Sequence, residues 1–441
     1  MDIKMKAKRF AIKAHEKQKR KHCPDKPMIV HPLNVANILS EYGFDDNVVA
    51  AGYLHDVVED TKYTIEDINK RFGSDITSLV MGDTEPDKSL SWEERKQHTI
   101  GNIKKLDLRH KAIVCADKIS NLEDLRIDSE IAGKYDFSAF KRGFSKQKWY
   151  YTEIYNSLIY QQDKNLPMFI RLKELIDDIF NHQKNELLEE IFKGNKKEYK
   201  ELKKIHYRKE EIYKLKELLN NKPYIIEFTG TPRTGKTTLI NNLYDFFKKK
   251  GFKVMVLEEF TTSSKYKNEI YPKIKNESKL HINTMIPKYV EKDLLNAKKQ
   301  NPDIIIIDRS LLDRLIWIDR LYLKKGMTKK EYNNYKKENI SKIKDNINII
   351  ISTYTDFLTA LKRDYHAHLS LEKRSFLNEQ NIKEYNTSLI NILDLSKKEN
   401  INMCLFDTTK KTEREISFEI IDKVLLDMRK FYLDRIYNEI K

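Results

Sequence analysis

A chain of 441 residues is too long for one ordinary domain, and its 40% hydrophobic content is enough to fill two or three cores. The longest apolar runs, such as the four isoleucines at 304–307, fall far short of the ~20 residues that cross a bilayer. The N-terminus MDIKMKAKRF lacks the apolar core of a secretory signal, so neither a membrane nor a secreted protein is expected. Against 67 acidic residues stand 83 basic ones, a net charge of +16 that favours anionic partners. The lysines form no single block, which ranks small nucleotides above nucleic acid. Cys23, Cys115 and Cys404 lie far apart with no CxxC pair, so neither a disulfide framework nor a thiolate metal site is expected, and a reducing cytoplasm is the predicted setting.

From the start to about residue 180 the apolar spacing is helical. Asp46 opens a segment in which Val48, Val49, Leu54, Val57 and Val58 recur at helical intervals. Thr64 with Asp67 makes an N-cap arrangement, and Gly73 is a stop. HKAIVCADKISNLEDL, residues 110–125, reads as a further helix with one apolar face. No strand alternation of any length occurs, so residues 1–182 are predicted to form an all-α domain. Residues 183–221 mix charges with leucines at helical intervals and end at Asn221-Lys222-Pro223, which predicts a helical connector. Beyond Pro223 the apolar runs YIIEF, KVMVLEEF, DIIIID, NINIIIST and NMCLFD alternate with helical patterns. Short continuous runs suit strands buried on both faces, so residues 222–441 are predicted to be an α/β domain with a parallel sheet.

The stretch GYLHDVVEDT places His55, Asp56, Glu59 and Asp60 within six residues. On a helix, residues four apart are neighbours, so His55 faces Glu59 and Asp56 faces Asp60. His31 lies upstream, just before a helix, and Asp117 downstream with Asn121 one turn later. Two imidazoles and two carboxylates (His31, His55, Asp56, Asp117) make an octahedral donor set for an ion such as Mn²⁺, with positions left for water. Glu59 and Asp60 are then placed to orient that water or move its proton.

IVHPLNVANIL, YLHDVVEDT, FGSDITSLV and CADKISNL together resemble the HD-domain hydrolase module of the Rel/Spo alarmone enzymes and their small stand-alone relatives, over roughly residues 8–180. The resemblance implies an all-α fold, Mn²⁺ and removal of the 3′-pyrophosphate of (p)ppGpp. It implies metal ligation by His31, His55, Asp56 and Asp117, a hydrolytic role for Glu59 and Asp60, and substrate contact by Asn121. The family entry GQxRKxGxPYIxHP is replaced here by KQKRKHCPDKPMIVHP, longer and without both glycines and the tyrosine; Arg20 is the match to the family's substrate-contacting Arg.

GTPRTGKTT, Gly230 to Thr238, fits the phosphate-binding loop G-x-x-x-x-G-K-[ST] between a predicted strand and a predicted helix. Gly230 and Gly235 let backbone N–H groups wrap phosphate, Lys236 reaches the β- and γ-phosphates of ATP, and Thr237, beside Thr238, offers a hydroxyl to Mg²⁺. Asp308 ends the third strand, where a Walker-B carboxylate lies beside that ion. Asp308-Arg309-Ser310 resembles the DR motif of thymidylate-kinase-like and deoxynucleoside-kinase-like enzymes, which implies that Arg309 holds the acceptor. Glu258 and Glu259 end the second strand, where those kinases keep a carboxylate near the acceptor. Arg363 and Arg374 fall where they keep a lid that neutralises transferring phosphate. The aromatics show no interleaving with basic residues of an RNA-binding strand type and are assigned to cores.

The chain is thus read as a metal-dependent (p)ppGpp-type hydrolase fused to an ATP-dependent nucleoside or nucleotide kinase. Three alternatives stand beside it: paired processing of nucleic-acid ends, hydrolysis of a different nucleotide, and a P-loop half that only senses ATP and gates the hydrolase.

Overall fold

The computed structural model describes residues 2–20, 23–82, 90–135, 142–181, 186–219, 222–368 and 377–440. The chain divides into two compact units, Met1–Asn220 together with Arg429–Lys441, and Asn221–Met428. No helix among the described residues is long and apolar enough to cross a membrane.

In the first unit the helices run α1 (Ile3–Ala14), α2 (Val30–Glu41), α3 (Asp46–Leu54), α4 (Val57–Asp60), α5 (Ile65–Phe72), α6 (Ser74–Met81), α7 (Trp92–Ile103), α8 (Leu108–Ala132), α9 (Gly143–Leu158), α10 (Pro167–Phe180), α11 (Glu186–Ile191) and α12 (Lys196–Glu217). The Thr64–Asp67 arrangement is a full capping box on α5, and Gly73 ends that helix at φ +85°. The long helix α8 starts on an Asp107 cap, stops at left-handed Gly133, and packs against α2, α3, α9, α10 and α12. Being surrounded, α8 buries Ala112 to Ala116, Ile119 and Leu122, and with them the polar Asp117, Ser120 and Glu123. Buried polar groups need partners, and those partners define the site below. Gly52 lets α2 and α3 approach closely, since a Cβ there would lie 2.6 Å from Leu39 Cδ1 and 3.3 Å from the Ala36 Cα. That approach brings His31 at the start of α2 to His55 at the end of α3.

The second unit holds one sheet: β1 (Tyr224–Gly230), β2 (Val254–Leu257), β3 (Ile304–Asp308), β4 (Ile349–Tyr354) and β5 (Met403–Asp407), all parallel, in the order β2-β3-β1-β4-β5. Each strand overlaps one of the five apolar runs, with β1 reaching two residues and β4 one residue past its run. Around the sheet stand α13 (Lys236–Lys248), α14 (Tyr271–Ile274), α15 (Lys279–Lys298), α16 (Leu311–Leu323), α17 (Lys329–Asn346), α18 (Phe357–His368), α19 (Glu379–Lys398) and α20 (Glu413–Ile440). In register, Phe228 of β1 pairs with Asp308 of β3, so the loop after β1 opens beside that carboxylate at the carboxyl ends of the strands. One residue of β1 breaks its apolar run. Glu227 is fully buried and accepts the backbone N–H groups of Ser310, Leu312 and Asp313 at 2.9 to 3.1 Å, capping α16 from the sheet.

Candidate metal centre and phosphate-binding loop

The helix carrying His55 is not continuous. It breaks at His55-Asp56, where Asp56 takes φ −89° and ψ −7°, and resumes as the single turn α4. Consecutive residues on a regular helix diverge by ~100°; across this break both side chains turn to the same point. His55 Nε2 lies 3.2 Å from Asp56 Oδ1, 3.2 Å from His31 Nε2 and 4.0 Å from Asp117 Oδ1. His31 Nε2 lies 3.0 Å from Asp117 Oδ1 and 3.5 Å from Asp56 Oδ2. The expected four donors are therefore together, and His31, His55 and Asp117 form a group able to hold a metal ion.

The donor chemistry fits a cation. His55 Nδ1 donates to the Gly52 carbonyl at 2.9 Å, which leaves the lone pair on Nε2, facing the cluster. His31 Nδ1 meets Ser120 Oγ at 3.0 Å, a contact that turns its own Nε2 the same way. Burial works to raise the Asp56 and Asp117 carboxyls, yet His55 beside the first and Lys118 beside the second hold both well below the usual range. Burial, reinforced by the Arg20 charge, lowers His31 and favours the neutral, ligating form. Glu59 and Asp60 lie on α4, one turn past Asp56, the first half-buried and the second exposed.

In the second unit Gly230 has φ +133°, and a Cβ there would stand 2.0 Å from the Thr353 carbonyl, so glycine is required. Gly235 is left-handed at φ +87° and starts α13 with no side-chain cap, leaving the first N–H groups of the helix for a ligand. Thr237 and Thr238 are exposed on that first turn. Lys236 Nζ donates to the Gly230 and Thr231 carbonyls at 3.3 and 3.1 Å. Arg309, held at φ +55°, donates through Nη2 to the same Gly230 carbonyl at 3.1 Å. Burial, then the neighbouring Arg309 charge, lowers Lys236 to about 7. Two cations converging on one carbonyl make a site that an anionic phosphate relieves. Beside them Asp308 Oδ1 is buried with no hydrogen-bond partner, and burial raises its pKa.

Of the paired glutamates, Glu259 approaches Arg309 (Oε2 to Nε 3.6 Å), while Glu258 is exposed. Both stand near a cavity of about 340 Å³ that Glu258, Phe260, Lys265 and Arg309 help to line. Arg363 donates to the Thr408 carbonyl at 2.6 Å and to the Arg233 carbonyl of the loop at 3.4 Å, so it braces the loop. Arg374 lies outside the described residues.

A family model described as HD domain matches residues 7–135, and one described as AAA domain matches residues 225–398. Guanosine-3′,5′-bis(diphosphate) 3′-pyrophosphohydrolase MESH1 of Drosophila melanogaster is 42% identical over 127 residues, 28% of this chain and 70% of that protein. The chain belongs to the HD-domain family that includes MESH1. Human MESH1 is 40% identical over 118 residues, 26% of this chain and 65% of that protein. Among solved structures, lmo0812 from Listeria monocytogenes EGD-e has 44% identity, covers 34% of this chain and 99% of its own, and superposes with a TM-score of 0.33. An HD domain implies a divalent metal site, and His31, His55 and Asp117 form a cluster that could hold such an ion.

Next to the HD-domain cluster lies a cavity of about 620 Å³, within the range of small-molecule sites. A chain of contacts runs into it from the ligands: Asn121 Nδ2 donates to Asp117 Oδ1 at 2.6 Å, and Arg20 Nη2 donates to Asn121 Oδ1 at 3.1 Å and Asp124 Oδ2 at 3.3 Å. Both expected substrate contacts thus meet at the cavity. Sequence reasoning missed its other walls, Lys96 and Lys118 with the rings of Trp92 and Tyr150. Lys96 sits 4.8 Å over the Tyr150 ring, and Trp92 and Tyr150 are 6.1 Å apart. Only Lys118, adjacent to Asp117 in CADKISNL, carried a signal that could have been used.

Proposed function

We propose that the HD domain is a Mn²⁺-dependent (p)ppGpp 3′-pyrophosphohydrolase and that the second unit is an ATP-dependent nucleoside or nucleotide kinase, in a cytoplasmic protein. The sequence assigns 1–182 to the hydrolase, 183–221 to the connector and 222–441 to the P-loop domain, and of the last, residues 429–441 group with the first unit. The observation carrying the hydrolase reading is the convergence of His31, His55, Asp56 and Asp117 beside a cationic, aromatic cavity, in a chain similar to MESH1. When bound, a divalent ion acts as a Lewis acid and makes water more acidic. The chain's own residues do the rest. Glu59 and Asp60 orient the attacking water and accept its proton. Lys118 and Lys96 offset phosphate charge, Arg20 and Asn121 fix the substrate, and the Trp92 and Tyr150 rings pack against the base. The water oxygen bonds to the phosphorus, the bond from that phosphorus to the 3′-oxygen breaks, the 3′-oxygen takes up a proton, and the products are GDP and pyrophosphate.

For the P-loop, the uncapped α13 terminus with Gly230, Gly235, Lys236 and Thr238 takes the ATP phosphates, and Thr237 and Asp308 hold Mg²⁺. Arg309, braced by Glu259, positions the acceptor in the cavity beside it; Glu258 lies on its rim. Arg363 steadies the loop, and Arg374 is assigned to the lid on sequence alone.

The test is product analysis with Mn²⁺ and ppGpp, with and without ATP·Mg²⁺. GDP and pyrophosphate are expected, and Asp56→Ala should produce neither. Intact ppGpp under both conditions with the unaltered protein would contradict the substrate assignment.

A further inference from the structure

Arg20 stands on a short hairpin. Lys19 bridges Pro27 antiparallel, the Arg20 N–H donates to the Lys26 carbonyl at 3.0 Å, and the Met28 N–H donates to Gln18 O at 2.9 Å. One arm brings Arg20 to the HD-domain cavity, and the other brings Cys23 and Lys26 to the same cavity. Part of what holds this hairpin comes from beyond residues 7–135. Lys26, 2% exposed, pairs with Glu211 of α12 at 3.0 Å and with Asp128 at 3.2 Å. The same Glu211 receives Arg429 Nε at 3.0 Å, and Arg429 Nη1 reaches Asp25 Oδ2 at 2.5 Å. Since Asp25 and Lys26 are neighbours, the alternating charges Asp25, Arg429, Glu211 and Lys26 close into a ring through the hairpin backbone. Tyr437, further along α20, adds a bond from its hydroxyl to the Asp25 carbonyl at 3.4 Å.

The chemistry makes Arg429 the hub. Its planar fork serves two carboxylates at once, which a single ammonium group does less well. Burial works against the Lys26 charge, and the Glu211 carboxylate leads the groups that keep it ionised. Lys26 and Glu211 are buried while Asp25 is exposed, so losing Arg429 leaves the Glu211 charge less compensated and frees Asp25, and the segment shifts to admit water.

We propose that Arg429 is a positioning residue for the hydrolase cavity, fixing through Asp25 and Glu211 the hairpin that presents Arg20 to the nucleotide. The proposal rests on the reading of that cavity as the nucleotide site. It implies that residues 429–441 are needed for hydrolysis although they lie far outside the matched HD segment.

The test uses full-length Arg429→Gln and Arg429→Lys, assayed for ppGpp hydrolysis and Mn²⁺ uptake, with amide exchange followed at Arg20, Lys26 and Met28. For Arg429→Gln, KM should rise about tenfold with kcat within about twofold, because substrate placement is lost while the metal donors are untouched. Exchange at the three amides should quicken while α8 stays protected, and Arg429→Lys should fall between the two proteins. An unchanged KM would overturn the proposal. So would joint loss of kcat and Mn²⁺ uptake, which would make Arg429 a support of the whole fold. If the unaltered protein leaves ppGpp intact, the hydrolase reading fails by itself. Hairpin exchange still decides whether Arg429 holds the segment, and unaltered exchange would end that claim too.

Discussion

The metal cluster draws its donors from the start of α2, the break between α3 and α4, and the middle of α8, whereas the phosphate loop is nine consecutive residues, Gly230 to Thr238. The first site exists only because helices pack, through contacts such as Gly52 against Leu39 and the burial of α8. The second exists because a few backbone positions accept conformations closed to other residues. Chemical identity of the side chain therefore governs the HD site, and absence of a side chain governs the loop.

Three substitutions probe that contrast. Asp117→Ala removes one of the proposed metal ligands and the partner of His31 and Asn121. Several kcal/mol of electrostatic stabilisation at 1.36 kcal/mol per decade predicts a fall in ppGpp hydrolysis of about 10³-fold. Steady-state assays should show this with ATP binding unchanged. Gly230→Ala meets the Thr353 carbonyl and keeps an unfavourable φ. A strain of ~1–3 kcal/mol predicts ATP affinity about 100-fold weaker by calorimetry, with hydrolysis intact. Ser120→Ala frees the His31 ring from its tautomer-fixing contact. Loss of such a support predicts metal affinity weaker by about tenfold, read by Mn²⁺ titration. Equal sensitivity of the HD site to Gly230→Ala would erase the distinction.

Much of this was legible in the sequence, and the physical reasons differ by site. The three inner strands β1, β3 and β4 are buried and so must be continuous apolar runs. The partly exposed edge strands β2 and β5 keep the same pattern, so all five were readable. The loop was readable because its function is local in sequence. The HD ligands are dispersed, yet each sits in a distinctive short motif, and the structure brings the four together. The break at His55-Asp56 was not readable, because helical spacing continues through it. Nor were the cavity walls: Lys96, Trp92 and Tyr150 come from α7 and α9, and their meeting depends on packing that periodicity does not encode. Glu227 was hidden inside an apolar run, where its three backbone partners make a buried carboxylate tolerable. The choice between Glu258 and Glu259 needed the strand's end geometry, which turns Glu259 toward Arg309.

The most direct measurement is a crossed assay of Asp56→Ala and Lys236→Ala, scoring ppGpp hydrolysis, Mn²⁺ uptake and ATP binding in each folded protein. Two separate sites predict that Asp56→Ala abolishes hydrolysis and metal uptake while ATP still binds, and that Lys236→Ala loses ATP while pyrophosphate release from ppGpp persists. Loss of both activities from either single change would contradict the account.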